Sequence, residues 1–313
     1  MNSIVKISAI VPVGKRCDIT GALAAEYLDV LKTIDKQFEL LFVLDGENPE
    51  IFDALVLLAD TDKRVRIIQL ARNFGEAAAL TAGFAYTSGS VILTLPAYYQ
   101  IEAGEIRNML ATIDQFDVVI GTRWPRASRS RFESARRKIF HWLVRIVTGE
   151  SFSDLGCGAR ALRRQVVDDV PIYGDQHRFL PLLALRRGFH VHELKVKQSE
   201  EDRYKDGYAV AVYLRRLLDI LTVVFLVRFT KKPLRFFGTI GSITLAIGSF
   251  FLFYVVIERL FFDVSLADRP ALLLSSLLVV LGLQILALGL LGELIIFTYG
   301  PDIKEYSIEK IVN

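Results

Sequence analysis

The residues best placed to do chemistry follow the predicted strands of this 313-residue chain. Gly14, Asp45, Pro96 and Arg123 each come just after a short apolar run. In an open α/β sheet, ligands bind beyond the carboxyl ends of the strands. We therefore expect these four positions to share one crevice, where a nucleotide would bind.

The segment at the end of the fourth predicted strand contains no carboxylate. It reads Thr94-Leu95-Pro96-Ala97-Tyr98-Tyr99-Gln100. A divalent cation bound to phosphates prefers oxygen ligands, above all carboxylates. Pro96 and Tyr98 provide none, so we predict that no Mg or Mn binds at this position.

An alternation of strands and helices would hold these residues in place. Apolar runs predict strands and amphipathic stretches predict helices. Such alternation is typical of an α/β layer structure with a mostly parallel sheet. The predicted strands cover residues 4–13, 38–44, 65–70, 91–95 and 118–121. The predicted helices cover residues 22–34 and 52–58.

Composition indicates a membrane protein. Hydrophobic residues make up 52% of the chain and the mean hydropathy is +0.37. Residues 236–257 and 271–292 contain no charged side chain, and each is long enough to cross a bilayer core. We expect two transmembrane helices and no cleaved signal.

Basic residues predict the orientation of these spans. Arg228, Lys231, Lys232 and Arg235 precede the first span, whereas the charges of the connecting loop are mixed. By the positive-inside rule, the protein is a two-pass integral membrane protein with both termini in the cytoplasm. The two cysteines would then form no disulfide. A net charge of +3 is too small to indicate nucleic-acid binding.

These patterns divide the chain into four parts. Residues 1–207 form the cytoplasmic α/β domain, 208–235 a juxtamembrane amphipathic segment, 236–298 a two-helix anchor and 299–313 a cytoplasmic tail. The amphipathic segment fits a helix lying in the membrane interface or a core helix of the soluble domain. Glycines at near-helical spacings would let membrane helices approach closely and would permit a homo-oligomer; they are Gly241, Gly248, Gly282, Gly289 and Gly292.

An ordered set of short motifs runs along nearly the whole chain. With the two C-terminal spans, it resembles glycosyltransferase family 2, and within it the membrane-anchored polyprenyl-phosphate glycosyltransferases of the dolichol-phosphate mannosyltransferase type. The motifs are Ile10-Val11-Pro12-Val13, Phe42-Val43-Leu44-Asp45-Gly46, Ala71-Arg72-Asn73-Phe74-Gly75, Gly121-Thr122-Arg123, Asp154-Leu155-Gly156-Cys157-Gly158-Ala159-Arg160, Arg178-Phe179-Leu180, Arg203 with Lys205-Asp206-Gly207-Tyr208, Pro233-Leu234-Arg235 and Leu290-Leu291-Gly292-Glu293.

The resemblance implies a Rossmann-like GT-A fold and inverting sugar transfer at the cytoplasmic membrane face. The donor would be a nucleotide diphosphate sugar, the acceptor a polyprenyl phosphate, and Mg or Mn the usual cofactor. Membrane lipids and a partner glycosyltransferase are further implied partners. Three sets of residues occupy positions at which the resemblance implies a site, although not all keep the family's residue type: Pro12, Lys15, Arg16, Asp45, Gln100 and Arg123 for the donor; Asp154 and Arg160 for catalysis; and Arg131, Ser134 and Arg203 for the lipid phosphate.

Structural roles are alternatives for several of these residues. Asp45 also fits a turn aspartate before Gly46, and Gln100 a polar strand end. Asp154 and Arg160 also fit a structural pair. The basic stretch that contains Arg131 also fits a surface attracted to anionic lipids.

The chain departs from the family pattern mainly on the donor side. Lys15-Arg16 stands where the family usually has Asn-Glu, Leu44 replaces an aspartate, and Ala159 replaces an aromatic residue. With Pro96 and Tyr98, these changes predict a more positive crevice that repels a divalent ion. Two hypotheses follow: an enzyme in which Lys15, Arg16 and Arg123 neutralise the diphosphate without metal, or a non-catalytic scaffold or regulatory subunit.

Overall fold

The computed structural model describes residues 6–14, 16–17, 21–35, 37–125, 145, 151–170, 174–202, 233–262 and 270–299. These residues fall into two compact units: the described residues from 6 to 202 belong to an α/β unit, and those from 233 to 299 to a helical unit. Predictions for Lys15, Arg131, Ser134 and Arg203 lie outside the described residues, as do most of the juxtamembrane segment and the tail.

In the described residues, seven strands form one mostly parallel sheet, as the sequence predicts. Its order is β3-β2-β1-β4-β6-β5-β7, and only β6 runs antiparallel to its two neighbours. The sequence predicted the first five strands but missed β6 and β7. The bounds are β1 Ile7–Val13, β2 Phe38–Leu44, β3 Val65–Gln69, β4 Val91–Thr94, β5 Val118–Arg123, β6 Arg160–Arg163 and β7 Val191–Val196.

Helices cover the faces of this sheet. Every residue of β1 and β2 is buried, which explains their continuous apolar sequences. Helix α1 contributes Leu23, Tyr27 and Leu31, four residues apart, to the core. The helices are α1 Gly21–Ile34, α2 Pro49–Thr61, α3 Glu76–Ala85, α4 Glu105–Thr112, α5 Arg164–Asp169 and α6 Leu180–Arg186, with a 3-10 helix at Gly174–Phe179.

The antiparallel strand β6 brings a loop to the carboxyl edge of the parallel strands. Arg160, its first residue, lies opposite Thr94 of β4 and Ile120 of β5. Because β6 starts at that edge, residues 151–159 lie where the parallel strands end. The Thr94 hydroxyl donates to the Gly158 carbonyl oxygen at 2.8 Å and fastens this loop to β4.

The helical unit consists of two helices long and apolar enough to cross a membrane, α7 Pro233–Phe262 and α8 Pro270–Tyr299. Both predicted spans lie inside them. The glycines noted above pack against the other helix of the same chain. A Cβ added at Gly241 would lie 2.8 Å from the Leu286 nitrogen, and one added at Gly248 would lie 2.7 Å from the Val279 nitrogen. The close approach predicted from these glycines therefore occurs within one hairpin.

Glu293, the one acidic residue inside the described α8, contacts the beginning of α7. Its carboxylate accepts a hydrogen bond from the Leu234 backbone N–H at 3.3 Å. The first N–H groups of a helix have no partner within it and carry partial positive charge. Glu293 therefore satisfies one of these donors and joins the two ends of the hairpin.

Candidate functional site

A cavity of about 290 Å³ opens at the carboxyl edge of the sheet. It is built by the segments that follow β1, β2, β3 and β4. Of the four positions expected to share one crevice, Gly14, Asp45 and Pro96 line this cavity, whereas Arg123 is not among its lining residues. Among the described residues, its lining carries one cation, Arg16, and two carboxylates, Asp45 and Glu76. Because Lys15 lies outside the described residues, a crevice more positive than that of the family stays a prediction. The lining residues are Pro12, Gly14, Arg16, Asp45, Asn73, Gly75, Glu76, Pro96, Ala97 and Tyr98.

Asp45 holds the wall formed by the loop between β3 and α3. Its carboxylate accepts hydrogen bonds from the backbone N–H groups of Phe74 at 2.6 Å and Gly75 at 2.9 Å. Gly46 beside it has φ of +99°, and an added Cβ would lie 3.1 Å from the Asn73 nitrogen, so only glycine fits this turn. Asp45 therefore shapes the crevice; its predicted contact with a nucleoside stays a prediction.

The end of β4 forms the floor of the crevice. The Tyr27 hydroxyl donates to the Pro96 carbonyl oxygen at 3.1 Å and fixes the backbone at the position where the family has an aspartate. Burial raises the pKa of the Tyr98 phenol to about 12, although the Arg16 charge opposes this, so the phenol is neutral at physiological pH. No anionic ligand comes from this segment.

The described residues do not fit a divalent metal here. Both oxygens of the Asp45 carboxylate already accept backbone N–H groups. Within the part of the chain that the structure describes, no group of three or more His, Cys, Asp or Glu side chains could hold a metal ion. Glu76, the other carboxylate of the lining, lies 3.3 Å from His177 Nε2. The segment after β4 thus lacks the carboxylates that hard cations require, and the two carboxylates elsewhere in the lining already contact protein donors.

Arg16 lies over the end of β4. Its guanidinium carbon is 3.7 Å from the centre of the Tyr98 ring, a cation–π contact. Its Nη2 donates to Oδ1 of Asp202 at 3.1 Å. The Arg16 side chain is 40% exposed, whereas that of Asp202 is 1% exposed. Arg16 therefore combines a fixed position with access to the crevice.

Asp202 connects Arg16 to a second arginine. Its Oδ2 accepts from Nη1 of Arg123 at 3.3 Å and from Nε2 of Gln198 at 2.7 Å. Arg123 in turn forms a two-pronged salt bridge with Asp154, with Nε–Oδ2 at 2.7 Å and Nη2–Oδ1 at 3.0 Å. These contacts form a series of four charged side chains that alternate in sign: Arg16, Asp202, Arg123 and Asp154.

Burial makes the Arg123–Asp154 pair a structural anchor. The two side chains are 4% and 2% exposed. Sequence reasoning considered a pair between Asp154 and Arg160, and the structure adds Arg123 as the partner at bidentate distance. Contact between Arg123 and a donor diphosphate stays a prediction, as does a catalytic role for Asp154.

Gln100 fastens the same loop from the other side. Its Oε1 accepts from the Gly158 backbone N–H at 2.7 Å, and its Nε2 donates to the Gly156 carbonyl oxygen at 3.3 Å and to the Tyr98 hydroxyl at 3.1 Å. The side chain is buried. These contacts match the structural alternative considered for Gln100, and its donor contact stays a prediction.

Arg160 is buried beside a carboxylate that sequence reasoning missed. It donates to the carbonyl oxygens of His177 and Leu155, and burial lowers its pKa. The His177 ring places Nε2 3.3 Å from the Glu76 carboxylate, which faces the cavity. Glu76 directly follows Gly75, which has a φ of +98° and precedes helix α3. A glycine followed by an acidic residue and a run of helix formers is a helix-start signal in the sequence, and it could have pointed to Glu76.

We expect Glu76 to contribute stability that acid removes. Burial alone would raise its pKa, but the His177 hydrogen bond and nearby arginines lower it to about 2 from the usual 4.5. A lowered folded-state pKa stabilises above the unfolded value and is lost as pH falls through the folded value. The difference in thermal midpoint between wild type and Glu76→Gln should therefore shrink as the pH falls from about 4.5 toward 2; a difference that stays the same across this interval would contradict it.

Comparison with known proteins agrees with this geometry. A family model for glycosyl transferase family 2 matches residues 8–170. An undecaprenyl-phosphate 4-deoxy-4-formamido-L-arabinose transferase from Photorhabdus laumondii is 29% identical over 312 residues, which cover 98% of this chain and 94% of the relative. A dodecaprenyl-phosphate galacturonate synthase from Rhizobium johnstonii is 25% identical over 302 residues, covering 95% and 89%.

Solved structures agree on the fold. Mannosyl-3-phosphoglycerate synthase from Rubrobacter xylanophilus has a TM-score of 0.54 at 12% identity, covering 72% of this chain and 74% of that one. Glucosyl-3-phosphoglycerate synthase from Mycobacterium tuberculosis has a TM-score of 0.52 at 13% identity, covering 70% and 78%. These likenesses confirm the predicted GT-A type fold. Because the family model also spans more than half of the sequence, the chain belongs to glycosyl transferase family 2.

Proposed function

We propose that this protein transfers a sugar from a nucleotide diphosphate sugar to a polyprenyl phosphate at a membrane surface. One observation carries the proposal: a family 2 crevice and a pair of membrane-length helices occur in the same chain. This combination agrees with the alignment of 98% of the chain to an undecaprenyl-phosphate transferase. A membrane-embedded acceptor and a water-soluble donor would meet at such a surface.

The chemistry asks little of the protein beyond positioning. A lipid phosphate is already anionic and can attack the anomeric carbon without a strong general base. Catalysis then depends on holding two substrates in line and on stabilising the leaving diphosphate. Cationic side chains supply that stabilisation, and Arg16 lies in the crevice where the donor would bind.

The acceptor site is proposed at Arg131, Ser134 and Arg203. Support for Arg203 comes from its neighbour: Asp202 is ion-paired with Arg16, a residue of the crevice lining. The chain at residue 202 therefore passes beside the donor crevice. Arg203 is the next residue in the sequence, and this adjacency is the support for including it in the acceptor site.

The orientation of the protein in the membrane is part of the proposal. The basic flank of the first span favours a cytoplasmic α/β unit, with both termini on that side. The hairpin supports a shared side for its two ends, because Glu293 near the end of α8 contacts Leu234 at the start of α7. A homo-oligomer or a partner glycosyltransferase stays a prediction.

A second function, a non-catalytic scaffold that binds lipid phosphate or a partner, has one observation in its favour. Pro96 and Tyr98 remove the carboxylates on which the family's metal depends. A scaffold would keep the fold and the lipid-facing residues without turnover.

A transfer assay separates the two functions. The full chain, reconstituted with undecaprenyl phosphate, is incubated with a panel of labelled UDP and GDP sugars, and label entering the organic phase is measured. We expect lipid-linked product from at least one donor and none when undecaprenol replaces its phosphate. Binding of nucleoside diphosphate without product from any donor would favour the scaffold.

A further inference from the structure

A fixed guanidinium, that of Arg16, lies against the segment that follows β4, where the family resemblance implies a metal. Arg16 stacks on the ring of Tyr98, which occupies one of the two positions that lost their aspartates. Pro96, at the other position, lines the same cavity as Arg16 and Tyr98. The cation is thus delivered to the strand end that would otherwise hold the carboxylate-bound ion.

Two contacts hold this guanidinium in place. The Tyr98 ring lies 3.7 Å below it, and Asp202 accepts its Nη2 at 3.1 Å. Asp202 is itself fixed by Gln198 and by the buried Arg123. A side chain ordered before the ligand arrives loses less entropy on binding, which favours affinity.

The guanidinium also keeps donors for a ligand. Arginine has five N–H groups in a planar fork that matches two phosphate oxygens. In the described part of the chain, Arg16 uses one nitrogen, Nη2, for a hydrogen bond to protein. Its side chain is 40% exposed toward the open crevice. A metal ion placed beside it would meet a like charge and no carboxylate from β4.

We propose that Arg16, positioned by Tyr98 and Asp202, binds the diphosphate of the donor in place of a divalent metal. This inference rests on the proposed function, because it assigns the donor's diphosphate to that crevice. In this proposal, the positive charge of Arg16 replaces that of the metal ion that carboxylates at positions 96 and 98 would have bound. Tyr98 acts as a positioning residue, since it contacts Arg16 rather than the phosphate.

The test measures binding of UDP and GDP, with uridine and guanosine as references, to the full chain in detergent. We expect the wild type to bind one diphosphate equally well in EDTA and in excess Mn. Arg16→Ala should weaken that binding roughly 10- to 150-fold, as expected for the loss of a charge-assisted contact, while nucleoside binding stays unchanged. Arg16→Lys should restore part of the affinity, because a lysine keeps the charge without the fork.

A matched control uses a second stacked arginine. Arg64 lies over Phe38 at 4.2 Å, beside the amino ends of the strands, and Arg64→Ala should leave diphosphate binding unchanged. Diphosphate binding that requires Mn, or equal affinity in wild type and Arg16→Ala, would overturn the inference while leaving the proposed function standing. If the diphosphate binds without metal as expected but no sugar is transferred, the inference stands and the proposed function is overturned. No diphosphate binding with or without Mn would overturn both.

Discussion

Replacing Asp154 with asparagine should lower the free energy of unfolding by about 3–5 kcal/mol, the typical result of removing one partner of a buried ion pair. Asp154 and Arg123 are almost completely buried and form two hydrogen bonds. Asparagine keeps the shape but removes the charge. Asp202, at 3.3 Å, is then the one carboxylate left of the two that pair with the Arg123 guanidinium in the described part of the chain.

The measurement is denaturant unfolding of the full chain in detergent, followed by a probe in the α/β unit. Glu102→Gln is a matched control, because its salt bridge with Lys197 is exposed on both sides. Exposed pairs contribute little to stability, so this variant should unfold like wild type. Equal unfolding curves for Asp154→Asn and wild type would contradict the assignment of the buried pair as an anchor of the site.

Replacing Gly282 with alanine should destabilise the helical hairpin by about 1–3 kcal/mol, the usual cost of overpacking. An added Cβ would lie 2.6 Å from the Leu245 backbone nitrogen and 2.8 Å from its Cα. Backbone atoms cannot rotate away as a flexible side chain can, so the two helices must separate. Membrane helices depend on such close packing because lipid tails leave no hydrophobic force to pair them.

Gly238 provides the control for this prediction. A Cβ added there meets only the Leu234 side chain, at an ordinary 3.6 Å. Titration with SDS should therefore unfold the Gly282→Ala hairpin earlier than wild type, and Gly238→Ala at the same point or later. If both alanine variants unfold together, the glycines do not stabilise the hairpin through close contact.

Sequence patterns predicted the parts of the fold that depend on local periodicity. The buried runs of β1 and β2 and the two apolar spans lie within the observed elements because burial and bilayer thickness dictate their composition. Strand β6 was missed because its four residues begin and end with arginine. Strand β7, with His192, Glu193 and Lys195 in its sequence, lacks a clear apolar pattern.

The crevice could be predicted in outline but not in its contacts. Strand ends meet at one edge of a parallel sheet, so Gly14, Asp45 and Pro96 could be grouped from the sequence. The role of Asp202 could not, because its partners Arg16 and Arg123 are 186 and 79 positions away. The sequence shows a tyrosine at position 98 where the family has an aspartate, but it does not show that the Tyr98 ring contacts Arg16.

Sugar transfer in the presence of EDTA tests the central claim most directly. The full chain, undecaprenyl phosphate and an accepted nucleotide sugar are mixed with EDTA or with Mn, and lipid-linked product is followed over time for wild type and Arg16→Ala. We expect the wild type to form product at the same rate in both conditions, and Arg16→Ala to be slower in both. Product that forms only when Mn is present, at rates unaffected by Arg16→Ala, would contradict the assignment of this crevice as an arginine-based donor site.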